Sequence, residues 1–325
     1  VRYDSFQPDW EITGPGVSPV HALVQLANGK TKLGSAAENT AAKAAFLAAF
    51  KSYNNALLSK MAKVWSESYN IKSVSSSTNP LLLVGNGAYK ISAAVADQSV
   101  TLALNPKYNS GPKTSGIKTI ILKMIADGTA ASQALANKEI DIYQGQPTAD
   151  AVAQLKAIPG VTVIGGTSSC FEHVDVRQGS VTDSDYTGPF AASNNASKNA
   201  KARDLRTAFL LAFPRQEIVD KLVKPINSKA VVVNSSFTLP GQTGYNEIVK
   251  SSGVSKFTAG DQASRTAAAL ALVKKYYPTA AADSKSVAVK LLWGQPSNTR
   301  RAAEAQLIKA ELAKAGFDVD TTGTS

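Results

Sequence analysis

Apolar and polar positions divide the chain into short strands and helices, and the densest passage is residues 118–143, KTIILKMIADGTAASQALANKEIDIY. Residues 119–124 are an apolar, β-branched run that reads as a strand buried on both faces. Asp127-Gly128-Thr129 breaks the run, and Asp127 or Thr129 can cap the helix expected from Ala130 to about Asn137 by accepting from free backbone N–H groups. Residues 139–142 alternate charged and apolar side chains, as a returning strand with one wet face does. Strand, capped helix and strand make a βαβ crossover. Ligands of open α/β sheets sit where strand C-termini meet helix N-termini, so the corner at Asp127, Gly128 and Thr129 is the first candidate site.

Upstream, residues 40–69 have a helical period. Phe46, Leu47 and Phe50 make one apolar stripe, and Leu57, Leu58, Met61, Val64 and Trp65 make another, with a break expected at Asn54-Asn55. Both stripes read as core or as packing between lobes. Residues 99–104 alternate as a strand that Asn105-Pro106 ends. No helical pattern follows Gly85-Asn86-Gly87, which removes a phosphate loop.

Downstream, Pro147 opens a helix that Pro159-Gly160 stops, and residues 161–164 and 171–176 read as strands. Residues 179–199 are polar and aperiodic, as in a surface excursion. Asp204 is expected to cap a helix over 205–213, with Pro214 as the first residue of the next. Asp261 caps a helix that Pro278 ends. A strand over 287–293, a short loop, a helix over 299–315 stopped by Gly316, and a strand from Phe317 complete the chain. The strands at 119–124, 139–143, 161–164, 171–176 and 287–293 are expected in one sheet or two adjoining ones.

A length of 325 residues exceeds one typical core and predicts two lobes. The chain is 44% apolar, and no apolar run is long enough to cross a bilayer. VRYDSFQPDWE at the start has neither a charged nor an apolar leader region, so no signal peptide is expected within it. The net charge is +11, from 35 basic and 24 acidic residues. Lysines read as scattered, without a basic–aromatic stripe, which favours a solvated basic surface over nucleic-acid binding. Weak attraction to anionic envelope polymers or lipid headgroups is compatible with it.

Candidate chemistry is sparse. Cys170 is the single cysteine, so no intrachain disulfide forms, and it is expected to be reduced and partly buried. His21 and His173 are too few and too far apart for a zinc site. In a strand, Cys170 and His173 would point to opposite faces, which argues against a thiol–imidazole dyad. Nothing reads as an active site, and neither a metal nor a cofactor is expected. Two loops at strand C-termini remain, Asp127-Gly128-Thr129 and the one holding Gln295, Asn298 and Thr299. Helix capping alone explains either; two such loops facing one cleft would make a recognition site. Trp293 beside the second loop is either a stacking surface or core.

Several boxes then match a known family in order and spacing along almost the whole chain. Gly85-Asn86-Gly87-Ala88-Tyr89-Lys90 looks like a GTGPYK box, and Leu104-Asn105-Pro106-Lys107-Tyr108 looks like RNPxYW with Asn109 in the tryptophan's place. ALANKEIDI (134–142) resembles LQSGEIDI, and ARDLRTAFLLAFPRQEIV (202–219) resembles VRVRQALAYAIDREAIV with Pro214 for an aspartate. Asp9-Trp10-Glu11, Pro19-Val20-His21 and residues 287–319 fit as well. The chain resembles the peptide-type extracellular solute-binding proteins of bacterial ABC importers, family 5.

The resemblance implies an α/β, periplasmic-binding-protein-like fold of type II with two lobes, residues 1–121 being part of lobe I and 122–325 most of lobe II. It implies a non-enzymatic, extracytoplasmic protein, a monomer, that binds a peptide or peptide-like solute in a cleft between the lobes for delivery to ABC permease membrane subunits. Lipid anchoring at the outer face of the cytoplasmic membrane is implied too. Family members are longer, and their leader, anchor cysteine and C-terminal tryptophan–aspartate segment have no counterpart in these residues. By position, Asp127, Gly128, Thr129, Asn298 and Thr299 correspond to cleft-lining residues, and Cys170 and Phe171 begin a bordering strand. The alternative is an envelope lipoprotein that uses this scaffold in regulation or cell-wall assembly, without transport.

Overall fold

The computed structural model describes residues 19–109, 111–112, 116–146, 148–165, 171–179, 186–294 and 297–322. The chain divides into two compact units, Val1–Ile125 and Ala126–Ser325.

Unit 1 begins with helices α1 (Val20–Ala27), α2 (Ala36–Lys51) and α3 (Asn55–Lys63), the last running into a π-helical turn at Val64–Ser68. Ser35 starts α2 through a capping box: its hydroxyl accepts from the Glu38 N–H at 3.3 Å, and Glu38 accepts from the Ser35 N–H at 2.7 Å. The break falls at Asn54, which accepts from the Ala56 N–H and caps α3. Leu23, Val24, Ala42 and Met61 form the buried core, with Phe46, Leu57 and Val64 packed against it. Leu47, Phe50 and Trp65, read as parts of stripes that pack in the core or between lobes, are each more than half exposed.

Strands β1 (Tyr89–Val95), β2 (Ser99–Leu104) and β3 (Thr119–Lys123) then make an antiparallel sheet in that order. Here the structure corrects the central reading. β3 pairs antiparallel with β2, Ile121 opposite Thr101 and Leu122 opposite Val100. Residues 139–142 form no strand, and Ile142 is 84% exposed. The crossover at 118–143 is therefore absent. β3 is not buried on both faces either, since Ile121 and Leu122 are exposed. A lobe boundary at 121/122 would cut this strand; the contacts place the division after Ile125.

Unit 2 holds α4 (Gly128–Ala136), α5 (Ala149–Lys156), α6 (Ala196–Ala212), α7 (Arg215–Ile218), α8 (Tyr245–Ser251), α9 (Gln262–Lys274), β4 (Val287–Lys290), α10 (Thr299–Ala313) and β5 (Phe317–Asp320). β4 and β5 pair in parallel, Val287 with Phe317 through Lys290 with Asp320. With α10 between them, they form a βαβ crossover. Gly316, at φ +82, turns the chain from α10 into β5, and a Cβ there would lie 3.3 Å from the Ser284 hydroxyl and 3.4 Å from the Ala281 carbonyl. α6, α9, α10 and the two strands bury Leu205, Ala208, Phe209, Val273, Leu312 and Phe317 in one core.

Further expectations change. Asn195 rather than Asp204 caps the helix, accepting from the Lys198 N–H at 3.1 Å. Asp204 lies inside α6 and accepts from the Tyr276 hydroxyl at 3.0 Å. Pro214 sits just before α7, and is not its first residue. The described parts of 161–164 and 171–176 are not strands, and 287–293 shortens to β4. β3 and β4 belong to different sheets of different units, so no shared sheet forms.

Candidate functional site

Two helix starts in unit 2 carry the candidate residues. At the first, Asp127 adopts extended backbone and its Oδ1 accepts from the Ala130 N–H at 2.8 Å, capping α4. Gly128 and Thr129 are the first two residues of that helix. A Cβ on Gly128 would lie 3.2 Å from the Tyr143 hydroxyl, so this ring lies close over the first turn. The same ring folds against Gly145, where any side chain would collide with it.

At the second start, Asn298 caps α10 by accepting from the Arg301 N–H at 3.0 Å. Its amide nitrogen also donates to Oε1 of Gln146. Gln146 in turn donates from Nε2 to Glu172. Residues 143–146 therefore touch both helix starts, through Tyr143 at α4 and Gln146 at α10. Thr299, the first residue of α10, is exposed, and Trp293 is half-buried where the chain leaves β4. Phe171 is half-buried with its ring 5.6 Å from that of His173. Cys170 and Gln295 lie outside the described residues.

The electrostatics centre on α10. Arg300 and Arg301 occupy its first turn, where the helix dipole disfavours cations. Glu172 compensates from a distant segment: its Oε1 accepts from Arg300 at 3.1 Å and from Arg301 at 3.4 Å. Arg301 also donates to the Gly294 carbonyl at 3.2 Å. Nε of Arg300 is 3.2 Å from Oε1 of Glu304, an ion-pair distance without hydrogen-bond alignment, and both atoms are shielded from solvent. Burial pushes the Glu304 carboxyl above the ordinary glutamate range; Arg300 opposes that shift and Glu172 adds to it.

Sequence reasoning found the two caps and missed Gln146, Glu172, Arg300, Arg301 and Glu304. One signal was available. Two arginines in the first turn of a helix, separated from its N-cap asparagine by one residue, are unfavourable against the helix dipole and call for a carboxylate from elsewhere. The arrangement gathers an amide, a hydroxyl and two guanidinium groups at the start of α10, with the amide and guanidinium groups bonded to Gln146, Glu172 and Gly294. No group of three metal-ligating side chains occurs among the described residues.

Two clefts lie elsewhere. One of about 410 Å³ in unit 2 is lined by Glu217, Gln262, Thr266, Glu311 and Lys314, and another of about 400 Å³ in unit 1 is lined by residues 29–34 with Gln25 and Glu38. In the first, the buried Glu311 already accepts from Thr266 at 2.7 Å and from Lys314 at 2.6 Å. In the second, Gln25 donates to Asn39 at 2.7 Å. Glu311 and Gln25 are thus satisfied within the chain, and what distinguishes the α4–α10 corner is a pair of helix N-termini tied to one segment.

Comparison with known proteins supports the fold. The periplasmic EDTA-binding protein EppA superposes with a TM-score of 0.51 at 21% identity, over 73% of this chain and 42% of its own. The oligopeptide-binding protein AppA from Bacillus subtilis, solved with a nonapeptide, gives a TM-score of 0.51 at 18% identity, over 82% of this chain and 45% of its own. The chain thus spans less than half the length of these structures. No curated protein sequence matched it at a significant level. Residues 36–325 match the family model described as "Bacterial extracellular solute-binding proteins, family 5 Middle", and the chain belongs to that family.

Proposed function

We propose that this chain is the middle portion of an ABC importer's extracytoplasmic binding protein, and that it holds a peptide or peptide-like solute. In this reading residues 126–325 are most of the solute-holding lobe and the preceding residues are part of the other. The solute is held at the corner made by Asp127, Gly128, Thr129, Phe171, Trp293, Asn298 and Thr299, and passes from there to the membrane subunits of a permease. The observation that carries the reading is the 143–146 segment, which ties the α4 start to the α10 start. Two helix N-termini linked in this way present unsatisfied backbone donors to the same neighbourhood. A peptide, rich in carbonyl acceptors, suits such a lining.

Native mass spectrometry of gently purified protein tests for a co-purified solute. Calorimetry against tri-, tetra- and penta-alanine tests the class. Asn298→Ala and Asp127→Ala should each weaken binding by about 1–2 kcal/mol, the scale of one lost hydrogen bond to a polar partner. Unchanged affinity in both, with a lower melting temperature for Asp127→Ala, would leave capping as that corner's sole role.

A further inference from the structure

Charge is divided unevenly along the chain. Residues 19–125 contain twelve lysines, no arginine and three acidic residues (Glu38, Glu67 and Asp97), a net +9 of the chain's +11. The excess comes from the scarcity of carboxylates there: the lysines themselves are spread over both units and form no run.

One helix there joins this charge to exposed apolar surface. α2 turns Ala42, Phe46 and Ala49 inward. With 3.6 residues per turn, Lys43, Leu47, Phe50 and Lys51 share a solvent-facing stripe at i, i+4, i+7 and i+8. Leu47 is 51% exposed and Phe50 53%, and Tyr53 just past the helix end is 77% exposed. Glu38, the one acidic residue of α2, is held in the Ser35 capping box at the other end. Neither Lys43 nor Lys51 pairs with a carboxylate among the described residues.

The geometry points to the α2 stripe as a docking surface for an anionic lipid bilayer. Leu47 and Phe50 enter the boundary between headgroups and acyl chains, and Lys43 and Lys51 meet headgroup phosphates on either side. Charge complementarity selects an anionic surface over a neutral one. The two apolar side chains select a bilayer over a soluble polyanion, which has no hydrocarbon to receive them. This docking is independent of what the α4–α10 corner holds.

The test is co-sedimentation of the protein with vesicles of phosphatidylcholine alone and of phosphatidylcholine mixed with phosphatidylglycerol. Binding is expected to the mixed vesicles and to be lost as salt rises past the screening range. Lys43→Gln and Lys51→Gln should each weaken it about fivefold and flatten its salt dependence. Leu47→Ser and Phe50→Ser should weaken it with the salt dependence kept. All four side chains point to solvent, so circular dichroism and melting temperature should stay at wild-type values. Equal binding to both vesicle types, or no binding, overturns the proposal. So does binding that Leu47→Ser and Phe50→Ser leave unchanged, which would mean diffuse charge attraction. Lipid-free self-association in sedimentation velocity that Phe50→Ser abolishes would make a second copy the occupant, and also overturns it.

Discussion

Arg300 and Glu172 meet at 3.1 Å across 128 positions of sequence, the arginine largely buried and the glutamate more open. The pair ties a segment without regular secondary structure to the first turn of α10. Removing the carboxylate leaves two cations at the wrong end of a helix dipole. Glu172→Ala should lower stability to urea by about 1–2 kcal/mol. A double-mutant cycle with Arg300→Ala should return coupling of about 1 kcal/mol, which raised salt reduces but does not abolish. Zero coupling would mean that the contact is incidental.

Glu304 sets a pH dependence. Its folded-state pKa is raised by burial, so the folded protein keeps a proton that the unfolded chain has released. The contribution to stability is full below the ordinary glutamate range and falls as pH rises through the raised value. Urea unfolding across this window should show that fall. Glu304→Gln, which mimics the protonated form, should remove it and be the more stable variant above the window. An identical pH profile in both proteins would rule out Glu304 as the source.

Asp261 behaves in the opposite sense. It caps α9 by accepting from the Ser264 N–H at 2.7 Å, and that bond holds its carboxyl below the usual aspartate range. Its contribution is present above the ordinary aspartate range and is lost as pH falls through the lowered value. Asp261→Asn, which can still accept the bond, should keep helix α9 at neutral pH and lose this part of the acid sensitivity. Hydrogen exchange in the first turn of α9 reads the outcome, and the idea fails if the asparagine variant is as acid-sensitive as the wild type.

Phe317 begins β5 at 1% exposure, with its ring edge-on to Phe209 at a centroid distance of 5.9 Å and an interplanar angle of 84°. Phe317→Ala should cost about 3–5 kcal/mol, from lost burial plus the cavity left behind. Phe237, at 87% exposure, is the control, and its alanine variant should stay within about 0.5 kcal/mol of wild type. Equal effects at the two positions would mean that unit 2 has no packed core at β5.

Helix starts were legible where one residue and its near neighbours decide them. Asp127, Asn298 and Asp261 each cap the helix expected to follow, and Gly316 ends α10, because these bonds close within three or four residues. Asp204 shows the limit of the same signal. It had the form of a cap, but the helix begins at Ala196, and the carboxylate instead faces Tyr276 on the sequence-distant α9–β4 segment. Of the candidate site, the two capped corners were legible, whereas the Gln146, Glu172 and Arg300 framework between them was not. Two of those contacts join residues more than a hundred positions apart and the third, Gln146 to Glu172, joins residues 26 apart, so no local spacing encodes them.

What the sequence by itself determined is most of the helices, α1 and α8 being exceptions, and the family. What only the tertiary structure decided is which strands pair and which apolar residues are covered. A helix satisfies its backbone within its own turns, so its signal is local. A strand satisfies its backbone on whichever neighbour the fold supplies. The apolar run at 119–123 therefore joined β2 as the edge of an antiparallel sheet instead of opening a crossover, and the crossover formed at β4, α10 and β5. In the same way, Leu47 and Phe50 had the period of a buried stripe, but the packing of α1 and α3 against α2 used only the Ala42 and Phe46 side and left them in water.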